Sequence, residues 1–358
     1  MICADLTHRA RVMLALDHQD TDRVPISMIC SGIHEPTRSQ LTELLKSERG
    51  ISLQDYLKPI IDVMPVGPEY KGPILQDMTD YWGVKRKRVD AGMGQFHDEI
   101  ETYPLADFKD VSQLNDYPWP KTKWFDYSGI PEQIKVLNKH EEYCIMSGWG
   151  SIFEAAWYMR GFEQFLMDLI LNPEMAHTIL KKVTEFQIEH TRMILQAGKG
   201  KIDLIFCGDD IGMQQGLLIS LDTFLEFIKP HHVALNKVIH EYGSTVIFHT
   251  DGSIMKAVPD LMDMGIDILQ ALQFDAVGMD AGMLKETYGK TLCFEGGVSV
   301  QHTLPFGTVE DVITETTHLV HTLGKDGGYI LGPSHAIQAG TPAENVLAMF
   351  DTALELEP

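Results

Sequence analysis

Cysteine is sparse and scattered in this chain. Cys3, Cys30, Cys144, Cys207 and Cys293 are odd in number, widely spaced and form no CxxC pair. That pattern excludes a disulfide-stapled secreted fold and reads as reduced thiols in a cytoplasmic protein, three of them inside apolar runs. Basic residues are also few: 29 Lys and Arg stand against 51 Asp and Glu, a net charge of −22. Such a chain repels phosphate backbones and anionic membrane surfaces, so neither nucleic acid nor membrane is an expected partner. The one basic run, Lys85-Arg86-Lys87-Arg88, reads as a charged edge strand. No apolar run approaches the roughly 18 to 20 residues that span a bilayer, and the N-terminus lacks the apolar core of a secretory signal. GxGxxG, GxSxG, Walker and HExxH patterns are absent, which weakens dinucleotide-binding, hydrolase, nucleotidase and metalloprotease readings.

What is present is a rhythm. The 358 residues are 44% hydrophobic and 22% charged, a globular composition. Over the last 160 residues, short apolar runs end in polar tips and are followed by amphipathic stretches that stop at Gly. Strand candidates fall at 202–207, 245–248, 266–270, 291–295 and 329–331, and earlier at 142–146, 60–64 and 23–28. Ser220 opens a helical stretch that breaks near Pro230 and stops at Gly243, and Asn172-Pro173 marks another helix start. The segment TPAE at 341–344 reads as a capping box with Pro at the first helical position. Strands alternating with helices imply a parallel sheet, and eight of them imply a closed (β/α)8 TIM barrel in a single α/β domain over 1–358. Residues about 67–140 break the rhythm. They read as an insertion with some antiparallel structure, either a lid or partner surface or an extension anchored by its aromatics.

In such a barrel the chemistry sits at the C-terminal strand ends. Those positions hold Gly148-Trp149, Asp209-Asp210, His249, Asp251, Gln270, Glu295 and Ser334-His335. His249 and Asp251, two residues apart, can reach one point once the chain leaves the extended form. His335 arrives from the last strand, taken as a neighbour in the closed ring. Imidazole and carboxylate suit zinc with an open fourth position; as the alternative, Asp251 simply caps the next helix. Asp209 and Asp210 are candidates for acid–base catalysis, metal ligation or substrate orientation, one of the two being structural. Glu295 is either catalytic or hydrogen-bonded within the barrel. Trp149, Glu154, Gln270 and Tyr81 are candidate substrate contacts. The six-residue separation of Glu154 and Arg160 argues against a direct pair.

These residues sit in segments that resemble the uroporphyrinogen decarboxylase superfamily: ALDH at 15–18, DRVP at 22–25, DYWG at 80–83, DDIG at 209–212, HTDG at 249–252, FEGGVSVQ at 294–301, Leu304-Pro305, GGYI at 327–330, PSH at 333–335 and Glu344-Asn345. The resemblance implies a (β/α)8 barrel. Decarboxylases of the superfamily carry an Arg-rich segment after the first strand, whereas residues 29–38 here hold only Arg38. The sequence looks more like the corrinoid-dependent methyltransferases of anaerobes, which bind zinc. In those acting on thiols, an HxC pair and a later Cys hold the metal, and the matching positions here are His249, Asp251 and His335. The resemblance thus implies a harder donor set, suited to polarising oxygen. It implies methyl transfer from a methoxylated aromatic to the cobalt of a corrinoid-binding partner protein, and leaves a homodimer open.

Overall fold

The computed structural model describes residues 6–30, 32–92 and 95–356. Seven parallel strands form one curled sheet in the order β1 (Val63–Pro65), β2 (Cys144–Gly150), β3 (Leu204–Gly208), β4 (Thr245–His249), β5 (Ile268–Ala271), β6 (Cys293–Val298) and β7 (Tyr329–Pro333). The eighth expected strand is reduced to a bridge. Ile26 pairs in parallel with Leu331 of β7, and its carbonyl accepts from the Asp62 amide, just before β1, at 2.8 Å. That segment closes the ring, so the α/β barrel expected from the strand count is the observed fold.

Alternation along the strands sorts side chains into two sets. Val63, Cys144, Met146, Leu204, Phe206, Ile247, Ile268, Cys293 and Ile330 form a separate apolar cluster with Val12, the filled interior of a small barrel. Their odd-numbered or even-numbered neighbours pack outward against the helices. Helix α1 (His8–Leu16), which supplies Val12, closes the N-terminal end: Arg9 N donates to Glu142 O and Gly328 N to Ala15 O.

Closure depends on one carboxylate. Asp62 is fully buried and accepts from His8 Nδ1 at 2.7 Å, Arg11 Nη1 at 2.6 Å, Arg23 Nη1 at 2.8 Å and the Ile26 amide at 2.7 Å. Burial pushes its carboxyl up, but His8, Arg23 and Arg11 outweigh burial and hold it below the ordinary range.

The insertion has the mixed character expected of it. Lys85–Gly92 and Gln95–Thr102 form an antiparallel hairpin, with Lys85–Glu101 at 2.7 Å and Arg88–Asp98 at 3.1 Å across it. Its base is anchored by aromatics: Tyr81 lies 5.3 Å from Phe125 and 5.9 Å from Phe186, ring centre to ring centre. Phe186 belongs to the 26-residue helix Pro173–Gly198, which does start at Asn172-Pro173. The helical break near Pro230 is also present, between Leu221–Phe227 and Lys229–Glu241, with Ser220 capping the first. The capping box at 341–344 does not form. Helix Ala343–Glu355 begins one residue later than the pattern implied, with Pro342 at its N-cap and no side-chain cap bond; Thr341 is buried before it, its carbonyl accepting from Thr37 Oγ1. Cys144, Cys207 and Cys293 are buried in strands and Cys30 is buried just beyond Ile26; Cys3 lies outside the described residues. Among the described residues no helix is long and apolar enough to cross a membrane.

Replacing Asp62 with Ala strands two arginines in the interior, and unfolding stability is expected to fall by about 3–5 kcal/mol. The Asp62 contribution is present at neutral pH and is lost as the pH falls through its depressed folded pKa. Denaturant titrations of wild type and Asp62→Ala between neutral and acid pH check both the loss and its convergence at low pH.

Candidate functional site

At the C-terminal end of the barrel the interior turns polar. Continuing the inward alternation from Phe206, Ile247, Ile268, Cys293 and Ile330 gives Gly208, His249, Gln270, Glu295 and Gly332. The register pairs His249 with Gly208 and Gln270, and Gln270 with Glu295. The two glycines make room for the polar side chains. A Cβ on Gly208 would lie 2.6 Å from the His249 Cβ, and one on Gly332 would lie 2.9 Å from Glu295 Oε1.

This layer is connected by hydrogen bonds. His249 Nδ1 meets Gln270 Oε1; with Nδ1 as donor, the Nε2 lone pair is left for a ligand. Ser27 Oγ donates to Glu295 Oε1. Gln270 Nε2 and Glu295 Oε2 are buried without a hydrogen bond; the amide lowers the Glu295 carboxyl electrostatically, but their approach does not meet hydrogen-bonding geometry. Burial dominates, pushing Glu295 up to about 7 against Ser27 and Gln270. Glu295 therefore sits inside the barrel, hydrogen-bonded to Ser27.

Above this layer, side chains converge on His249 from two directions. Cys30, His249 and His335 each offer one ligand atom within 4.8 Å of the others; so do Asp210, His249 and Asp251. The three ligands expected from the sequence, His249, Asp251 and His335, do not form one such group among the described residues. Asp251 is held to the β3 side, its amide donating to Asp210 Oδ1 at 2.8 Å. His335 reaches His249 from β7, three strands away around the ring and not a neighbour, with ring centres 5.8 Å apart. Cys30 joins it from the closing segment. Sequence reasoning treated Cys30 as a buried thiol, although its position just past the first strand was the available signal. Asp251 does not cap the next helix, Val258–Asp263, whose N-cap is Ala257.

The donor chemistry fits a cation. Burial, then the nearby imidazoles of His249 and His34, push His335 down to about 4 against the pull of Asp210, so its imidazole is neutral at neutral pH, the ligating form. Asp251 Oδ1 is buried without a hydrogen-bond partner, and burial with the charge of Asp210 raises its carboxyl to about 6 against His249.

The adjacent carboxylates divide their work by strand alternation. Asp209 continues the outward set and is fully buried beneath the helix Phe153–Arg160. It accepts from the amides of Ile152 at 3.0 Å, Phe153 at 2.9 Å and Glu154 at 2.9 Å, and meets His232 Nε2 at 2.5 Å. Asp209 is thus the structural member of the pair, and Asp210 is the one at the mouth, 3.6 Å from His249 Nε2.

Glu154, on the first turn of that helix, lines the same small cavity as Gly208 and His249. Burial, then the charges of Asp210 and Asp209, raise its carboxyl to about 8 against a hydrogen bond from Tyr158; the Tyr158 hydroxyl donates to Glu154 Oε1 at 2.8 Å. Arg160 does not pair with Glu154; it binds Asp168 at 2.7 Å. The insertion reaches this region through Arg86, whose guanidinium lies 5.4 Å from the centre of the Tyr158 ring. Tyr81 belongs to the aromatic anchor of the insertion and is not brought to His249. The backbone of Trp149 ends β2 at the mouth, but its side chain lies outside what the structure describes.

The family profile of uroporphyrinogen decarboxylase (URO-D) matches residues 94–356. A uroporphyrinogen decarboxylase of Anaeromyxobacter sp. (strain Fw109-5) is 24% identical over 198 residues, 54% of this chain and 51% of that protein. The chloroplastic uroporphyrinogen decarboxylase 2 of Arabidopsis thaliana is 24% identical over 265 residues, 71% of this chain and 62% of that protein. The chain thus spans about half to three-fifths of the length of these curated relatives. Among solved structures, a methyltransferase from Methanosarcina mazei shares the fold with a TM-score of 0.68 and 22% identity, over 97% of this chain and 98% of that one.

Removing the Asp209 carboxylate leaves three buried amides and His232 without their acceptor. Asp209→Ala is expected to lower stability by about 2–5 kcal/mol, measured by chemical denaturation. A loss under 1 kcal/mol would mean that water replaces the carboxylate and that Asp209 is not a structural cap.

Proposed function

We propose that this chain, which belongs to the uroporphyrinogen decarboxylase family, is a methyltransferase that moves a methyl group from a methoxylated aromatic compound to the cobalt of a separate corrinoid-binding protein. The observation that carries this reading is the meeting, at one barrel mouth, of the Cys30–His249–His335 group with Glu154, a carboxyl that burial keeps protonated. Against decarboxylation of a polycarboxylate porphyrinogen, negative charge already gathers at this mouth: Asp210 and Asp251 both raise the Glu154 carboxyl, and Asp210 raises that of Asp251. A polyanion entering there meets repulsion.

Zinc suits one thiolate and two imidazoles, and Cys30, His249 and His335 would hold it with a fourth position open. Bound there, it supplies Lewis acidity toward the ether oxygen. The chain's own residues do the rest. Gln270 fixes the His249 tautomer from below, and Glu295 with Ser27 holds the floor under Gln270. When the methyl carbon is taken by the cobalt, the electron pair of the broken carbon–oxygen bond stays on the aryl oxygen. The Glu154 proton neutralises that oxygen, and the phenol leaves. Tyr158 aims the Glu154 carboxyl, and Arg86 carries the position of Tyr158 into the insertion.

Cys30 also favours a second reading, methyl transfer to a thiol. With a thiolate among the donors, the set is softer than His249, Asp251 and His335 alone, and softer zinc suits activation of a thiol. One assay separates the readings. Enzyme, reduced corrinoid protein and a panel of methoxylated aromatics are expected to give methylcobalamin absorbance; methylation of a thiol by methylcobalamin with no reaction on any ether would select the second. Carbon dioxide release from uroporphyrinogen with neither methyl transfer would restore the decarboxylase.

Two variant series test the residues. Zinc content is expected to survive Asp251→Asn and to be lost on combining His249→Ala with His335→Ala, or in Cys30→Ala; retention in Cys30→Ala with loss in Asp251→Asn moves the metal to the other group. Glu154→Gln is expected to slow ether cleavage by about 10²–10⁴-fold. Because the acid form acts, the wild-type rate falls as the pH rises through the Glu154 range near 8, and the variant lacks that limb.

A further inference from the structure

A second cavity lies outside the barrel wall, against the outward-facing Met64 of β1. It has a volume of about 600 Å³, within the range of small-molecule sites. Met28, Ile33, Leu57 and Met64 give it an apolar floor, and Arg38 and Lys58 stand at its edge. It sits between the helices Thr37–Glu48 and Leu53–Leu57 on one side and the end of Ile130–Leu137 on the other. None of its lining residues belongs to the small cavity at His249. The loop that carries Cys30 into the barrel mouth forms part of its wall through Met28, Gly32 and Ile33.

The charge of this cavity runs against that of the protein. With 51 acidic and 29 basic side chains, carboxylates outnumber cations over the whole protein, and some surface cations are held by one, as Arg49 is by Asp351 and Lys229 by Asp260. The side chains of Arg38 and Lys58 have neither an ion pair nor a hydrogen bond among the described residues. Two unpaired cations on the rim of one apolar cavity are complementary to a molecule with an apolar body and a single anionic head.

We propose that this cavity binds an amphipathic anion, with the apolar body against Met28, Leu57 and Met64 and the carboxylate or phosphate head between Arg38 and Lys58. The site is independent of the methyltransferase reading, since it shares no residue with the proposed chemistry. A filled cavity also buttresses the Cys30 loop, whose Gly32 carbonyl accepts from Ile337 N and whose His34 amide donates to Ile337 O, both at 2.9 Å.

The test uses the full chain and the fluorescent monoanion 1-anilinonaphthalene-8-sulfonate, with octanoate, octyl phosphate and 1-octanol as competitors. One saturable site is expected, displaced by octanoate or octyl phosphate about tenfold more readily than by octanol; the ranking of the two anions identifies the head group. Combining Arg38→Gln with Lys58→Gln is expected to weaken the probe about tenfold, with thermal melting unchanged. Equal competition by octanol, unchanged affinity in the double variant, or no saturable site would each overturn the proposal. So would sedimentation showing a dimer from which the probe is excluded, which would give the cavity to a second copy of this chain.

Discussion

The barrel is closed by a carboxylate. Its ring has seven ordinary strands and one short segment, whose backbone bonds are few: Pro25 and Ser27 to Leu331 on one side and Ile26 to the Asp62 amide on the other, with no long ladder. Asp62 substitutes for that ladder: it binds the Ile26 amide with one oxygen and gathers His8, Arg11 and Arg23 around the rest. The cost of burying a charge is offset only because every acceptor position is used and the two arginines carry compensating charge. Everything past Ile26 inherits its position from this anchor. Ser27 reaches Glu295, Cys30 reaches His249 and His335, and the Cys30 loop pairs with Ile337.

A second constraint sits one layer above the apolar interior. A barrel of this size is ordinarily packed to the top with branched side chains; here His249, Gln270 and Glu295 take that place, and Gly208 and Gly332 surrender volume to them. The layer leaves Gln270 Nε2 and Glu295 Oε2 unsatisfied, which costs stability. It also fixes the imidazole from below while keeping its upper nitrogen clear. The polar floor and the acidic mouth act together: burial and the neighbouring carboxylates hold Glu154 in its acid form, next to the neutral imidazole of His335 and the other donors, His249 and Cys30, that could take a cation.

Much of this was legible before any tertiary contact was known. The alternation of apolar runs and helices requires a parallel sheet, and eight runs require closure. Ser220, Pro230 and Asn172-Pro173 punctuate the helices by backbone chemistry alone, so their positions needed no tertiary information. That one of Asp209 and Asp210 is structural could be expected from the sequence; which one was decided by the amides of Ile152, Phe153 and Glu154 and by His232. The capping box at 341–344 shows the limit of such signals: its local pattern is sound, but the helix starts one residue later, at Ala343, with Pro342 in the cap position.

By itself the sequence determined the architecture, the polar character of the strand ends and the identity of most groups that meet there, because period-2 and period-3.6 patterns and local caps are properties of neighbouring residues. Which of those groups share a point was decided only by the tertiary structure. His249 has potential co-ligands on both sides, and spacing along the chain favoured Asp251, two residues away. Across the ring, His335 and Cys30 arrive from the segments that Asp62 locks together, while the Asp210 carboxylate holds Asp251 on the other side. Distances around a closed barrel do not follow distances along the chain, so the composition of the site rests on how the ring closes.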